Sequence, residues 1–108
     1  MKQTVLTEVL ELLLEQEPVA SESEFSRDWL CRSESYMRGL RFHQKLPSIA
    51  SIAICASKLQ HYGDRLSQAG VYEELCERFL ELSEACHRQI NERATAKWCN
   101  APEMGSAA

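Results

Sequence analysis

Residues 25–59 read FSRDWLCRSESYMRGLRFHQKLPSIASIAICASKL, and the punctuation of this stretch decides the fold. Phe25, Trp29 and Leu30 fall on one side of a short helix, and Cys31 and Arg32 break it. Ser33 is then placed to cap a further helix over 33–42, with Tyr36, Met37 and Leu40 on its inner side. Pro47 stops that helix, because its ring fixes φ and removes the backbone donor, and Ser48 behind it can cap the next one. Ile49, Ile52, Ala53, Ala56 and Leu59 follow at helical spacing as the expected buried stripe.

Working outward toward the N-terminus, Ser21 with Glu24 three residues on forms a capping-box pattern that starts the helix carrying Phe25. Ahead of Pro18, Thr4 to Gln16 sets Leu6, Val9, Leu10, Leu13 and Leu14 among Glu8, Glu11 and Glu15, the pattern of an amphipathic helix. Toward the C-terminus, Tyr62, Gly63 and Asp64 read as a break, with Asp64 capping a C-terminal helix over 64–98 that kinks at Gly70. Tyr72, Leu75, Phe79, Leu82 and Cys86 alternate by three and four, with Ile90 beyond. They are expected as core first and as the seam of a homodimer second. Residues 99–108 have no periodicity and are expected as a disordered tail. The expectation is an all-α, single-domain chain over 1–98, with about five helices, a core unit at 21–60 and a long C-terminal helix.

At 108 residues and 44% hydrophobic, the chain can build one core. No apolar run reaches the roughly 18 residues that a bilayer span needs, and the carboxylates of the first helix are foreign to a signal peptide, so a cytoplasmic protein is expected. The five cysteines are odd in number and sit within or beside helical patterns, as reduced, mostly core thiols would. Cys86, His87 and Cys99 make a poor metal set, because neighbours on a helix diverge by about 100° and no second pair follows. Neither a metal nor a cofactor is expected. Nothing resembles a nucleophile elbow, a phosphate-cradling loop or two histidines on one helical turn, so no enzymatic activity is expected.

The net charge of −4 hides an uneven distribution. Residues 1–24 carry one Lys against six Glu, residues 25–65 seven Lys or Arg against three acids, and residues 66–108 four against seven. The positive charge therefore lies in the stretch that decides the fold. Acidic flanks do not abolish a local positive face, since exposed charges are screened beyond about 8 to 10 Å at physiological salt.

From Leu30 to Leu59 the chain resembles the helix-turn-helix domain of the Cro and lambda-repressor type, the XRE family. The residues that carry the resemblance are Leu30, Cys31, Arg32, Ser33, Tyr36, Met37, Leu40, Pro47, Ser48, Ile49, Ile52, Ala56 and Leu59. The FSRDWLCRS string is also similar to one found in a small family of bacterial proteins, a resemblance that carries no function. Cys31 stands where the XRE family usually has Gly, and a left-handed conformation there would strain a cysteine by about 1 kcal/mol. Glu22, Ser23 and Glu24 stand where the family often has a phosphate-clamping Gln, and Trp29 lies between Phe25 and Leu30, which are five apart rather than four.

The XRE resemblance implies a sequence-specific regulator that binds double-stranded DNA, with helix 33–42 in the major groove. Base contacts then fall to Glu34, Ser35 and Arg38, with Gly39 allowing close approach. Arg38 would donate two bonds to a guanine, and Glu34 would accept from a cytosine amino group. Arg27, Arg32, Arg41, His43 and Lys45 would hold phosphates. The alternative is a non-enzymatic adaptor that keeps the scaffold and uses this face for a protein partner. Continuous positive charge favours DNA, and interruption by Glu22 and Glu24 favours protein.

Overall fold

Thr4 opens the first helix: its carbonyl accepts from the N–H groups of Thr7 and Glu8, and its hydroxyl lies 3.4 Å from the Thr7 nitrogen. The computed structural model describes residues 4–16 and 18–100. The chain is all-α, with five helices: α1 (Val5–Gln16), α2 (Glu22–Leu30), α3 (Tyr36–His43), α4 (Ile49–Ala69) and the long C-terminal α5 (Glu73–Cys99). Most of the expected tail, residues 101–108, lies outside the described residues.

Two of the expected starts lie where the capping residues put them. Ser21 Oγ accepts from Glu24 N at 3.1 Å to begin α2, and Ser48 Oγ accepts from Ser51 N at 3.1 Å to begin α4. The start of α3 is a correction. Ser33 does not cap a helix over 33–42; its carbonyl accepts from Tyr36 N at 3.0 Å in a turn, and α3 begins at Tyr36 after Ser35. The polar run Ser33–Glu34–Ser35 extends the connector instead of entering the helix.

The break expected at 62–64 is a second correction. Gly63 lies inside α4, buried against α5, and a methyl group built on it would come within 2.7 Å of the Leu80 side chain. This glycine serves close helix packing, not a turn. The chain reverses instead at Gly70, whose φ of 70° suits a residue without Cβ, and α5 then runs back antiparallel to α4. Cys76 Sγ donates to Gly63 O at 3.1 Å and Ser83 Oγ to Ala56 O at 3.0 Å, while Arg93 donates to the Pro47 carbonyl. Beyond Arg93, α5 overhangs the start of α4, with Trp98 63% exposed.

One buried cluster joins all five helices: Leu6, Val9 and Leu13 of α1, Phe25, Trp29 and Leu30 of α2, Met37 of α3, Ile52, Cys55 and Leu59 of α4, and Phe79, Leu82 and Cys86 of α5. Leu14, Ile49 and Ala53, expected inside, face outward. Phe79, Leu82 and Cys86 are buried within the chain, so they are not available as a dimer seam; their stripe meets α4. Of the remaining seam residues, Leu75 and Ile90 are half-buried against the same core, and Tyr72 is 72% exposed. Cys55, Cys76 and Cys86 are buried thiols, and Cys31 and Cys99 are exposed. Cys55 and Cys86 contact each other across α4 and α5; the hydrogen bond with Cys86, together with burial, pushes the Cys55 thiol well above its ordinary range.

Candidate interaction surfaces

The α2–α3 unit is held by short-range polar contacts as well as by apolar burial. Cys31, which ends α2, takes φ 56° and ψ 43°, the left-handed conformation, and the N–H of Arg32 returns to Ser26 O at 3.0 Å. The Ser26 side chain is fully buried and accepts from Met37 N at 3.3 Å, which ties the first turn of α3 to the middle of α2. Tyr36 reaches the other way, its hydroxyl accepting from Ser48 N at 2.9 Å at the head of α4. Burial opposes ionisation of that hydroxyl, but the bonds with Ser48 and Ser51 outweigh it and draw Tyr36 below the ordinary tyrosine range. Lys58 of α4 donates to Asp28 O at 2.7 Å and lies 4.8 Å over the Trp29 ring, a cation placed at the C-terminal end of α2. Thus α3 is fixed in direction although it has only eight residues.

The outward face of α3 and its flanks carries the residues expected to touch DNA. Arg38 is exposed and makes no ion pair or hydrogen bond with another described side chain; the same is true of Lys45. Gly39 has nothing within 4 Å of where a Cβ would stand, so the helix surface is open there. Ser35 is exposed at the head of α3. Glu34 lies in the connector and accepts from Arg27 at 2.9 Å, while Arg27 also meets Asp28 at 3.3 Å. Arg41 pairs with Glu22 across from α2. Arg32 stacks over the Tyr36 ring at 4.5 Å, and the His43 ring meets the edge of Phe42 at 5.0 Å. Phe42 itself is 81% exposed.

The positive face is therefore interrupted. Glu22 and Glu34 meet two of the expected phosphate-holding arginines, and Glu24 instead turns back to Ala20 N at the start of α2. What remains unpaired is Arg38 and Lys45, within residues 35–63, a stretch with four cations and no carboxylate side chain.

A second surface, absent from the sequence reading, lies at the other end of α4. There α2 and the end of α1 cross the α4–α5 hairpin and leave a groove of about 820 Å³, with Trp29 and Phe79 on its floor and Tyr62, Leu66, Tyr72 and Leu75 along it. Trp29 stands 5.6 Å from Tyr62 and 6.4 Å from Phe79 between ring centroids. The available signal was the apolar pair Val71–Tyr72 directly behind Gly70, which a hairpin tip exposes. Among the described residues, no three or more His, Cys, Asp or Glu side chains gather to hold a metal ion, and no helix is long and apolar enough to cross a membrane.

No curated protein and no solved structure matches this chain. A family model does match, over residues 6–99, from the first turn of α1 to the last of α5. With the match reaching into all five helices, the chain belongs to DUF6626, a family of unknown function.

Proposed function

We propose that the chain binds double-stranded DNA through α3 and the turn before it, as a small transcriptional regulator of helix-turn-helix type. The observation that carries the reading is the turn at Cys31. The residue adopts a left-handed conformation at the position where the XRE family usually has Gly, at a cost of about 1 kcal/mol for a residue with a Cβ, and Ser26 fixes α3 against α2 behind it. Such a turn sets an exposed helix across a packed one, the arrangement that lets its outer face enter a major groove. Arg38 is the base-reading residue, Gly39 permits close approach, and Lys45 and Arg32 hold phosphates. Glu34 is engaged with Arg27 and takes no part in reading bases.

With two cations on phosphates, log K should fall against log salt with a slope of about −2, since each neutralised phosphate contributes about −0.9. Random-duplex selection at two salt concentrations, followed by anisotropy on the selected site, tests the reading. Arg38→Ala should weaken the selected duplex by about 1 to 3 kcal/mol and relax one base position, whereas Lys45→Ala should weaken all duplexes alike and shallow the slope by about 1. Absence of salt-dependent binding to any duplex would refute it. The pairing of Arg41 with Glu22 and of Arg27 with Glu34 favours a second reading, an adaptor whose face meets a protein. Glu22→Gln separates the two: released Arg41 strengthens DNA binding and steepens the slope in the first, and leaves duplex binding absent in the second.

A further inference from the structure

The groove at the hairpin end has a knob beside it. Val71 and Tyr72 form the tip between α4 and α5 and are 45% and 72% exposed, and Tyr72 holds a left-handed φ of 54° with no side-chain hydrogen bond to cap α5. The Tyr72 ring borders both the aromatic groove and a shallower hollow lined by Leu12, Glu73, Glu74 and Arg78. Among the described residues Arg65 is the one charged side chain along the aromatic groove, and Glu73 and Glu74 directly follow the knob. Neither Arg65 nor either glutamate makes an ion pair among the described residues.

We propose that a second copy of this chain occupies the groove, in a two-fold contact where each Val71–Tyr72 knob enters the partner's groove and Glu73 and Glu74 meet the partner's Arg65. Two features of the surface favour a second copy over an unrelated protein. The groove and a knob of matching apolar character lie side by side on one patch, as a self-complementary interface requires. The charges flanking them are opposite in sign, one on the groove and one on the knob, so a two-fold axis satisfies both pairs at once. Exposed Tyr62 and Tyr72 with the flanking Arg65 are also of the residue types on which interfaces concentrate their energy. The contact leaves α3 free and stands independently of the DNA reading.

Sedimentation of the full chain over a concentration series reaching about 0.1 mM, where even a weak interface is populated, is expected to show a monomer–dimer equilibrium. Arg65→Glu alone and Glu73→Arg with Glu74→Arg alone should each sediment as monomers, since like charges then face each other. An equimolar mixture should recover the dimer mass, because both pairs are restored in the mixed dimer and in neither parent. Tyr72→Ala, which changes no charge, should also lose the dimer while its circular dichroism stays helical. A wild-type chain that remains monomeric throughout, variants that dimerise as the wild type does, or a mixture that stays monomeric would each overturn the proposal.

Discussion

The α2–α3 unit and the α4–α5 hairpin are both pairs of consecutive helices, yet they are held by different means. Across α2 and α3 the decisive contacts are single polar bonds between residues close in sequence: Ser26 to Met37, Arg32 N to Ser26 O, and Tyr36 to Ser48 just beyond. Across α4 and α5 the contact is a long seam of apolar and small side chains, Ile52, Cys55, Leu59 and Gly63 against Phe79, Leu82 and Cys86. Because α3 buries only Met37 it can loosen alone, while α2, which shares Phe25, Trp29 and Leu30 with the common core, and the α4–α5 hairpin come apart only with the whole core. The surface proposed to bind DNA thus sits on the part of the molecule whose order is most local.

The largest expected effect tests the hairpin side. Leu59 is fully buried, so Leu59→Ala should cost about 2 to 5 kcal/mol, read as a fall in the urea midpoint with every helix losing hydrogen-exchange protection together. Ser26→Ala tests the other side, leaving the buried Met37 N–H unsatisfied at about 1 to 3 kcal/mol. Its loss of protection should be confined to α3 and the turn. If Ser26→Ala exposes α4 and α5 amides as widely as Leu59→Ala does, the distinction between the two units fails.

Smaller effects sharpen the contrast within α2–α3. Cys31→Gly should stabilise by about 1 kcal/mol, because the left-handed conformation no longer carries a Cβ. Gly39→Ala should also stabilise, by about 0.5 to 1 kcal/mol, since a methyl group meets nothing there and helical Ala is favoured over Gly. The two differ in function: the first sits behind the turn and should leave duplex affinity intact, whereas the methyl at 39 should lower it. Equal effects of both on affinity would remove Gly39 from the proposed contact face.

What was legible in the sequence follows the same division. Ser21, Pro47 and Ser48 act on their immediate neighbours, and α2 and α4 begin where those residues say. Ser33 misled because three polar residues in a row can each precede a helix, and the backbone chose the last. Tyr62–Gly63–Asp64 misled because a glycine serves a turn and a close helix crossing equally well, and only the presence of Leu80 opposite decides between them. The positive character of the α3 face was readable from residue order, but its interruption was not: Arg41 and Glu22 are 19 positions apart and meet only once α2 and α3 are crossed. The aromatic groove was hidden for the same reason, since Trp29, Tyr62 and Phe79 come from three helices.

Alkaline pH should strengthen the join between α3 and α4. Tyr36 is lowered, so in the folded state it gives up its proton before the unfolded chain does, and its contribution grows as pH approaches the ordinary tyrosine value of about 10. Across the hairpin the bond between the two thiols acts in both directions, raising Cys55 and lowering Cys86, so that pair carries no single sign. The urea midpoint at about pH 10, taken relative to that at neutral pH, should therefore be lower for Tyr36→Phe than for the wild type. Parallel profiles for the two would mean that protonation of the hydroxyl joining α3 to α4 contributes nothing to the stability of that region.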